Sequence, residues 1–311
     1  MKLLVTTGDL RHHLTPNFNN LLTEAARLVD LTVWYESGNI HEILSQLQMV
    51  PDFILINEYG ETNSPRITGL SNLKIPFAVA LHDLHYQPKI RWDAFGNDNV
   101  RFIFSLYRDK FYEWYPRFWK RLCWLPHHFN PQVFHDYGMN KDIDYLLMGA
   151  MHPRIYPLRH KVLQGMQNIN GFVYHPHPGY RNFDDTDDAL VGERFAREIN
   201  RAKIFFTCDS AYRYPVAKYF EVLACRTLLL ASASKELADL GFLPDVHFVA
   251  VDENNFLQKA EYYLHHEPER EKIATQGCEM VHDRHTTAIR ASQMITAIEG
   301  ILRECSIEHD F

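Results

Sequence analysis

No stretch of this chain approaches the roughly 20 consecutive apolar residues that a membrane-spanning helix needs. The opening segment MKLLVTTG, Met1 to Gly8, is too short for a secretory signal and reads as a first strand. Cysteine is sparse and unpatterned. The five residues Cys123, Cys208, Cys225, Cys278 and Cys305 are scattered, odd in number and free of any CxxC pair. That usage fits a reducing compartment with inert thiols rather than a disulfide framework. Histidine is abundant, with 18 residues, but the one metal-like pair, His175 and His177 in YHPHPGY, has no carboxylate or thiolate cluster beside it. A bound metal is therefore not expected. Net positive charge is missing too. The formal charge of −7 argues against a polyanionic partner such as nucleic acid, although a local basic groove stays compatible with it. No internal repeat is detectable. A cytoplasmic protein without a membrane span is the expectation.

What is present points to a large folded core. An apolar fraction of 46% and an aromatic fraction of 13% are those of an ordinary globular protein, and 311 residues allow one oversized domain or two ordinary ones. Short apolar runs at Lys2–Thr6, Leu31–Tyr35, Asp52–Ile56, Pro76–Leu81 and Val100–Ser105 alternate with helical periodicity at Phe18–Val29 and Ile40–Gln48. This is the pattern of a parallel sheet covered on both faces, and right-handed crossovers make it doubly wound. The pattern restarts at Asp144–Met148 and continues through Gly171–Tyr174, Ala202–Thr207, Thr227–Ala231 and Phe248–Val251. The expected fold is thus α/β, with two Rossmann-like domains facing across a cleft. The turn-rich passage NPQVFHDYGMNKD places the boundary near Asp136 to Lys141, giving domains 1–138 and 139–290. Within the second, FDDTDD (Phe183 to Asp188) reads as an exposed acidic loop. FYEWYPRFW (Phe111 to Trp119) carries aromatic and basic residues; Pro116 breaks any long amphipathic helix there, and core packing is the expected role.

The most informative segment is CDSAYRYPVAKYFEVLACRTLLLA, Cys208 to Ala231: a loop, a helix and a buried strand. Lys218 and Glu221, three residues apart, share one helical face. Pro215 suits a first helical position, and free N–H groups beside it would attract phosphate. Lys218 adds a point charge for that phosphate, while Glu221 can accept hydrogen bonds from a pair of sugar hydroxyls. A phosphate donor beside a diol acceptor is the requirement of a nucleotide-sugar site.

This segment resembles the carboxyl-half motif of GT-B glycosyltransferases, in particular the family-four-like, group-one branch that includes spore-maturation-type proteins. The resemblance continues through EYYLHHEPEREKIATQGCEMVHDRHTTAIRASQMI (Glu261 to Ile295). It also takes in WLPHHFNPQVF (Trp124 to Phe134), DYLLMGA (Asp144 to Ala150) and YPLR (Tyr156 to Arg159). It covers the chain from about Leu125 onward. It implies a GT-B fold in which the C-terminal helix, 291–311, crosses back to the first domain. It further implies retention of anomeric configuration, no cofactor, and a nucleoside-diphosphate sugar such as a UDP-sugar as co-substrate. Many relatives carry a second glutamate where Arg213 stands, and a glycine where Arg226 follows the helix. Arginine at such a left-handed helix end costs about 1 kcal/mol.

The candidate site residues follow. On the donor side, Glu221 would bind the ribose hydroxyls and Lys218 the diphosphate. Gly149 ends a parallel strand, where a ligand can approach the backbone. Arg154 and Arg159 suit phosphate through their planar forks. The loops holding His175, His177 and Tyr180, and Ser210 and Arg213, would border the nucleotide. On the acceptor side, His82 would donate to a sugar hydroxyl or the leaving phosphate, with Asp83 orienting it and His85 close by. Gly8 and Asp9 follow the first strand and are further acceptor-side candidates. The expected activity is sugar transfer from a nucleoside diphosphate to a saccharide, small molecule, protein or modified nucleobase. Alternatives are a non-catalytic nucleotide-sugar-binding protein, for which Arg213 speaks, an epimerase or hydrolase on the same fold, and transfer onto nucleic-acid bases.

Overall fold

A computed structural model describes residues 1–59, 64–184 and 186–309. Asp185, within the expected acidic loop, lies outside the described residues. The chain divides into two compact units.

The first unit comprises Met1–Arg11, Phe18–Pro126 and Ala288–Phe311. Its elements are β1 (Lys2–Thr6), α1 (Asn17–Ala25), β2 (Asp30–Trp34), β3 (Gly38–Asn39), α2 (Ile40–Gln46), β4 (Phe53–Ile56), β5 (Ile67–Thr68), β6 (Phe77–Leu81), α3 (Pro88–Asn97), β7 (Phe102–Ser105), α4 (Arg108–Trp114) and β8 (Leu122–Trp124). Six strands form one wholly parallel sheet in the order β2-β1-β4-β6-β7-β8, and β3 pairs with β5 separately. The central strands β4 and β6 are buried along their whole length, as the continuous apolar runs FILI and FAVAL require of strands covered on both faces. The chain winds from β1 to one side and then returns to the other, so the order reverses between β1 and β4.

The second unit comprises His12–Asn17 and His127–Thr287. It contains β9 (Ile143–Gly149), α5 (Pro157–Met166), β10 (Phe172–Pro176), α6 (Gly192–Asn200), β11 (Ala202–Phe206), α7 (Lys218–Ala224), β12 (Leu228–Ala231), α8 (Lys235–Asp239), β13 (Val249–Ala250), α9 (Phe256–His265) and α10 (Glu267–Arg284). The five strands are again parallel, in the order β10-β9-β11-β12-β13. Here the reversal lies between β9 and β11. In open parallel sheets the crevice beyond the carboxyl ends of two such strands is where ligands bind.

The last helix, α11 (Thr287–His309), joins the first unit's core: Ala291, Met294, Ile295, Ile298, Ile301 and Cys305 pack with Leu3, Val5, Phe53 and Ala80. No helix among the described residues is long and apolar enough to cross a membrane.

The boundary falls at Pro126 rather than near residue 138, and the return to the first unit at Ala288 rather than 291. The turn-rich passage reads as a linker by composition, yet its aromatic residues are structural. Phe129 exchanges backbone hydrogen bonds with His285 and Thr287 at 3.2 and 3.0 Å, and Phe134 packs edge-on against Phe195 at 6.0 Å. A second difference concerns α7, which begins at Lys218, not at Pro215. Ala217 is its N-cap in a right-handed conformation, so the Tyr219, Phe220 and Glu221 N–H groups bond to the Val216 and Ala217 carbonyls at 2.9–3.1 Å. Those donors are taken and do not await a phosphate. At the other end Arg226 has φ 52°, the left-handed conformation expected of a glycine there. Its guanidinium bonds to Asp136 and Thr275, both at 3.1 Å, which offsets the backbone cost.

The aromatic segment FYEWYPRFW forms α4 and a 3₁₀ turn over Pro116–Arg121; Phe111 and Tyr115 are fully buried while Tyr112 and Trp119 are exposed. Its inward rings serve the core, as the reading of Pro116 suggested.

Candidate functional site

In the second unit, three of the expected donor-side residues meet at the strand-order reversal. Gly149 ends β9 with φ 121°, a conformation open to glycine alone among ordinary residues. A Cβ placed there would lie 3.4 Å from Lys218 Cε, 3.5 Å from Lys218 Nζ and 3.6 Å from an Arg159 terminal nitrogen. Those are ordinary contact distances, so it is the backbone conformation that calls for glycine, and two cations lie side by side over the end of β9. Lys218 is the first residue of α7, and Arg159 lies in the first turn of α5, after Pro157.

Arg159 is buried, its guanidinium 4.0 Å from the Tyr156 ring centre and its Nη2 donating at 3.5 Å to the Cys208 carbonyl. Its Nε has no hydrogen-bond partner among the described residues. Neither Arg159 nor Lys218 forms an ion pair among them. Burial, and then the neighbouring Arg159 charge, bring Lys218 down to a pKa of about 8, with Glu221 opposing the shift. Glu221, one turn further along α7, is raised by burial against the pull of Lys218. Its carboxylate makes no hydrogen bond among the described residues. Two adjacent cations and an unengaged carboxylate on one half-buried surface are costly to maintain without a ligand. Their chemistry fits one that is anionic at one end and rich in hydroxyls at the other.

His177 borders this group: burial first, then the Lys218 and Arg159 charges, lower its pKa. Its Nδ1 accepts from the Gly179 N–H at 3.0 Å, and its ring lies 4.7 Å from that of Tyr180, which is 71% exposed and also stacks with His13 at 6.3 Å. His175 faces elsewhere. Its Nε2 pairs with Glu198 at 2.8 Å, and Glu198 also holds Arg201 at 2.9 Å, so its role is to join β10 to α6. Arg154 is exposed. Ser210 and Arg213 open and close a tight turn, both at positive φ (62° and 58°), with the Arg213 N–H bonded to the Ser210 carbonyl at 3.1 Å. Asp209, buried beside them, accepts from Ser232 Oγ at 2.7 Å. Among the described residues no group of three or more His, Cys, Asp or Glu side chains could hold a metal ion.

In the first unit, His82 directly follows β6 and is half-buried. Its Nε2 lies 2.8 Å from Asn57 Oδ1, and Asn57 Nδ2 donates to Thr7 Oγ1 at 3.0 Å. Asp83 does not orient it. That side chain is exposed, and its carbonyl rather than its carboxylate receives the Arg91 guanidinium, at 2.7 Å. His85 packs edge-on against Trp114 at 6.4 Å. Asp9 is engaged by Arg11 at 2.6 Å, and Gly8 lies beside it in the chain. Asn57 and Thr7 escaped the sequence reading, although each directly follows an expected strand, which is the signal that could have found them.

Residues 159–296 match the sequence model of the glycosyl transferase-like family. Solved structures resemble the whole chain. HepE of Anabaena, solved with UDP and glucose and with UDP-glucose, superposes with a TM-score of 0.63 at 10% identity, covering 96% of this chain and all of HepE. An α-glucosyltransferase solved with UDP-glucose and DNA containing an abasic site has a TM-score of 0.61 at 11% identity, over 96% of this chain and 98% of the other. A sucrose-phosphate synthase from Thermosynechococcus elongatus has a TM-score of 0.60 at 12% identity, over 85% and 77%. None of the curated proteins compared with the chain matches it. The fold is the GT-B fold.

Proposed function

We propose that this chain, whose residues 159–296 match the glycosyl transferase-like model and whose fold is GT-B, moves a sugar from a nucleoside-diphosphate donor, a UDP-sugar, to a hydroxyl acceptor. The observation that carries this reading is the pair Lys218 and Arg159 beside Gly149, two cations with no acidic ion-pair partner among the described residues, at the strand-order reversal of the second unit. The diphosphate lies against them, Arg159 donating from its fork and Lys218 as a point charge. Glu221 accepts from the ribose hydroxyls. His177 and Tyr180 border the same ligand. UDP and UDP-glucose in the HepE structures support uracil as the base.

Catalysis in this proposal is stabilisation of the departing diphosphate. As the bond from the anomeric carbon to phosphate oxygen breaks, negative charge grows on that oxygen, and fixed cations lower the energy of that state. Transfer is retaining: the leaving phosphate takes the acceptor's proton on the face from which it departs, and no protein base is required. No metal and no further cofactor takes part.

A calorimetric screen of nucleoside diphosphates and their sugars tests the reading. UDP and one UDP-sugar should bind, and Lys218→Met should abolish both. Equal affinity of the variant would remove the donor assignment. Incubating the bound UDP-sugar without acceptor separates the rivals, since an epimerase or hydrolase would alter the donor and a transferase would leave it unchanged.

A further inference from the structure

Thr7, Asn57 and His82 are each the first residue beyond a strand, and the strands are β1, β4 and β6, three parallel neighbours in one sheet. Parallel neighbours lie about 4.8 Å apart, so short side chains at their matching ends can bridge from one to the next. They do so here, Thr7 to Asn57 at 3.0 Å and Asn57 to His82 at 2.8 Å. We propose that Asn57 is a positioning residue for His82. It holds the imidazole with the proton on Nε2 and so presents Nδ1 as a hydrogen-bond acceptor to a substrate hydroxyl. The inference rests on the glycosyltransferase reading only for the identity of that hydroxyl.

Three observations carry it. Asn57 is completely buried and Thr7 is 3% exposed, and the Asn57 backbone N–H is tied to the Thr6 carbonyl at 2.9 Å, so the amide has a fixed base. Both ends of the amide are used, Nδ2 donating to the Thr7 hydroxyl and Oδ1 accepting from the imidazole. An oxygen acceptor opposite Nε2 requires the proton there, and the neutral ring then keeps its lone pair on Nδ1. The Phe18 ring meets the imidazole edge-on at 5.8 Å and 71°, fixing the ring plane from a second direction. A leucine would fill the space of Asn57 in this apolar sheet at less desolvation cost. What the amide adds is the direction of one imidazole. The ring itself is half-buried, so it remains partly accessible.

Nitrogen-15 NMR of the full chain, with the His82 signals assigned by their loss in His82→Gln, reports the tautomer directly. Wild type should show neutral His82 as the Nε2–H form. Asn57→Leu should release it to a mixture, while Asn57→Asp, which keeps an acceptor oxygen, should preserve it. Thr7→Val, nearly isosteric, should shift the ring in the same direction as Asn57→Leu by a smaller amount. With a turned-over UDP-sugar, Asn57→Leu should lower kcat about tenfold, the scale of one oriented hydrogen bond, with donor KM little changed. An Nδ1–H tautomer in wild type, or a tautomer indifferent to Asn57→Leu and Thr7→Val, overturns the proposal. A wild type inactive on every UDP-sugar, whose His82 is nevertheless Nε2–H and released by Asn57→Leu, sustains the positioning role and sinks the transferase reading instead.

Discussion

Donor affinity should fall as pH rises through 8, and Lys218 is the reason. In the free protein its pKa is about 8, because burial and the Arg159 charge both disfavour the ammonium form. A bound diphosphate reverses that preference and restores the side chain toward its ordinary value of 10.5. Binding therefore draws in a proton wherever the free lysine is neutral. At pH 7 about nine-tenths of the free side chain is already charged, and at pH 9 only about one-tenth is. The dissociation constant of UDP should accordingly rise about tenfold between pH 7 and 9, ~1.4 kcal/mol. Ionisation of the ligand itself is removed by comparison with Lys218→Arg, whose guanidinium stays charged throughout. Isothermal titration in two buffers of different ionisation enthalpy would also count the proton taken up at pH 9. Wild-type affinity that tracks Lys218→Arg across this range would refute the assignment of Lys218 to the diphosphate.

The same lysine has a stability signature of opposite sense. A folded pKa below the unfolded one means that the unfolded chain binds more protons between about pH 8 and 10.5, so the contribution of Lys218 to stability rises with pH across that window. Lys218→Met should raise the Tm of the ligand-free protein at pH 7 even as it removes binding, and a lowered Tm would contradict the cost assigned to its burial. Glu221→Ala should weaken UDP binding by ~1.5–3 kcal/mol, the range for hydrogen bonds to a charged group, without loss of Tm. Calorimetry with UDP and with UDP lacking the ribose hydroxyls should show the difference only for the former. Gly149→Ala should cost at least ~1 kcal/mol in urea unfolding, because φ 121° strains alanine. Gly277→Ala would drive a Cβ into the His247 carbonyl oxygen, and the resulting overpacking should destabilise by ~1–3 kcal/mol with donor affinity per folded molecule unchanged.

Both parallel sheets were legible because their buried strands are continuous apolar runs separated by helical periodicity, and FILI, FAVAL and LLLA need little context to be read. β8 was not legible. LCW is three residues long, lies beside an aromatic run and is a strand only because β7 offers it an edge. The 127–138 passage shows the limit of composition, since its turn residues advertise a linker while Phe129 and Phe134 anchor it to the second unit. On the donor side, Lys218 and Glu221 could be read from their spacing on one helix. Gly149 and Arg159 needed the fold to bring them beside Lys218, though the end of a strand hinted at the glycine. The partner of His82 was misread because sequence adjacency favoured Asp83. The bond in fact runs to Asn57, 25 residues away, and on to Thr7, a further 50. Only the order of strands in the sheet makes those three residues neighbours.

The placement of α11 bears on how the protein is made. Its apolar stripe lies in the core formed by β1, β4 and β6, yet the ribosome reaches it only after the whole second unit has been synthesised. The nascent first unit must therefore wait with Leu3, Phe53 and their neighbours uncovered while some 160 residues emerge behind it. The second unit, continuous apart from a short early loop, is free to fold in the meantime. Translation speed and chaperone capture should act on the interval before that last helix appears.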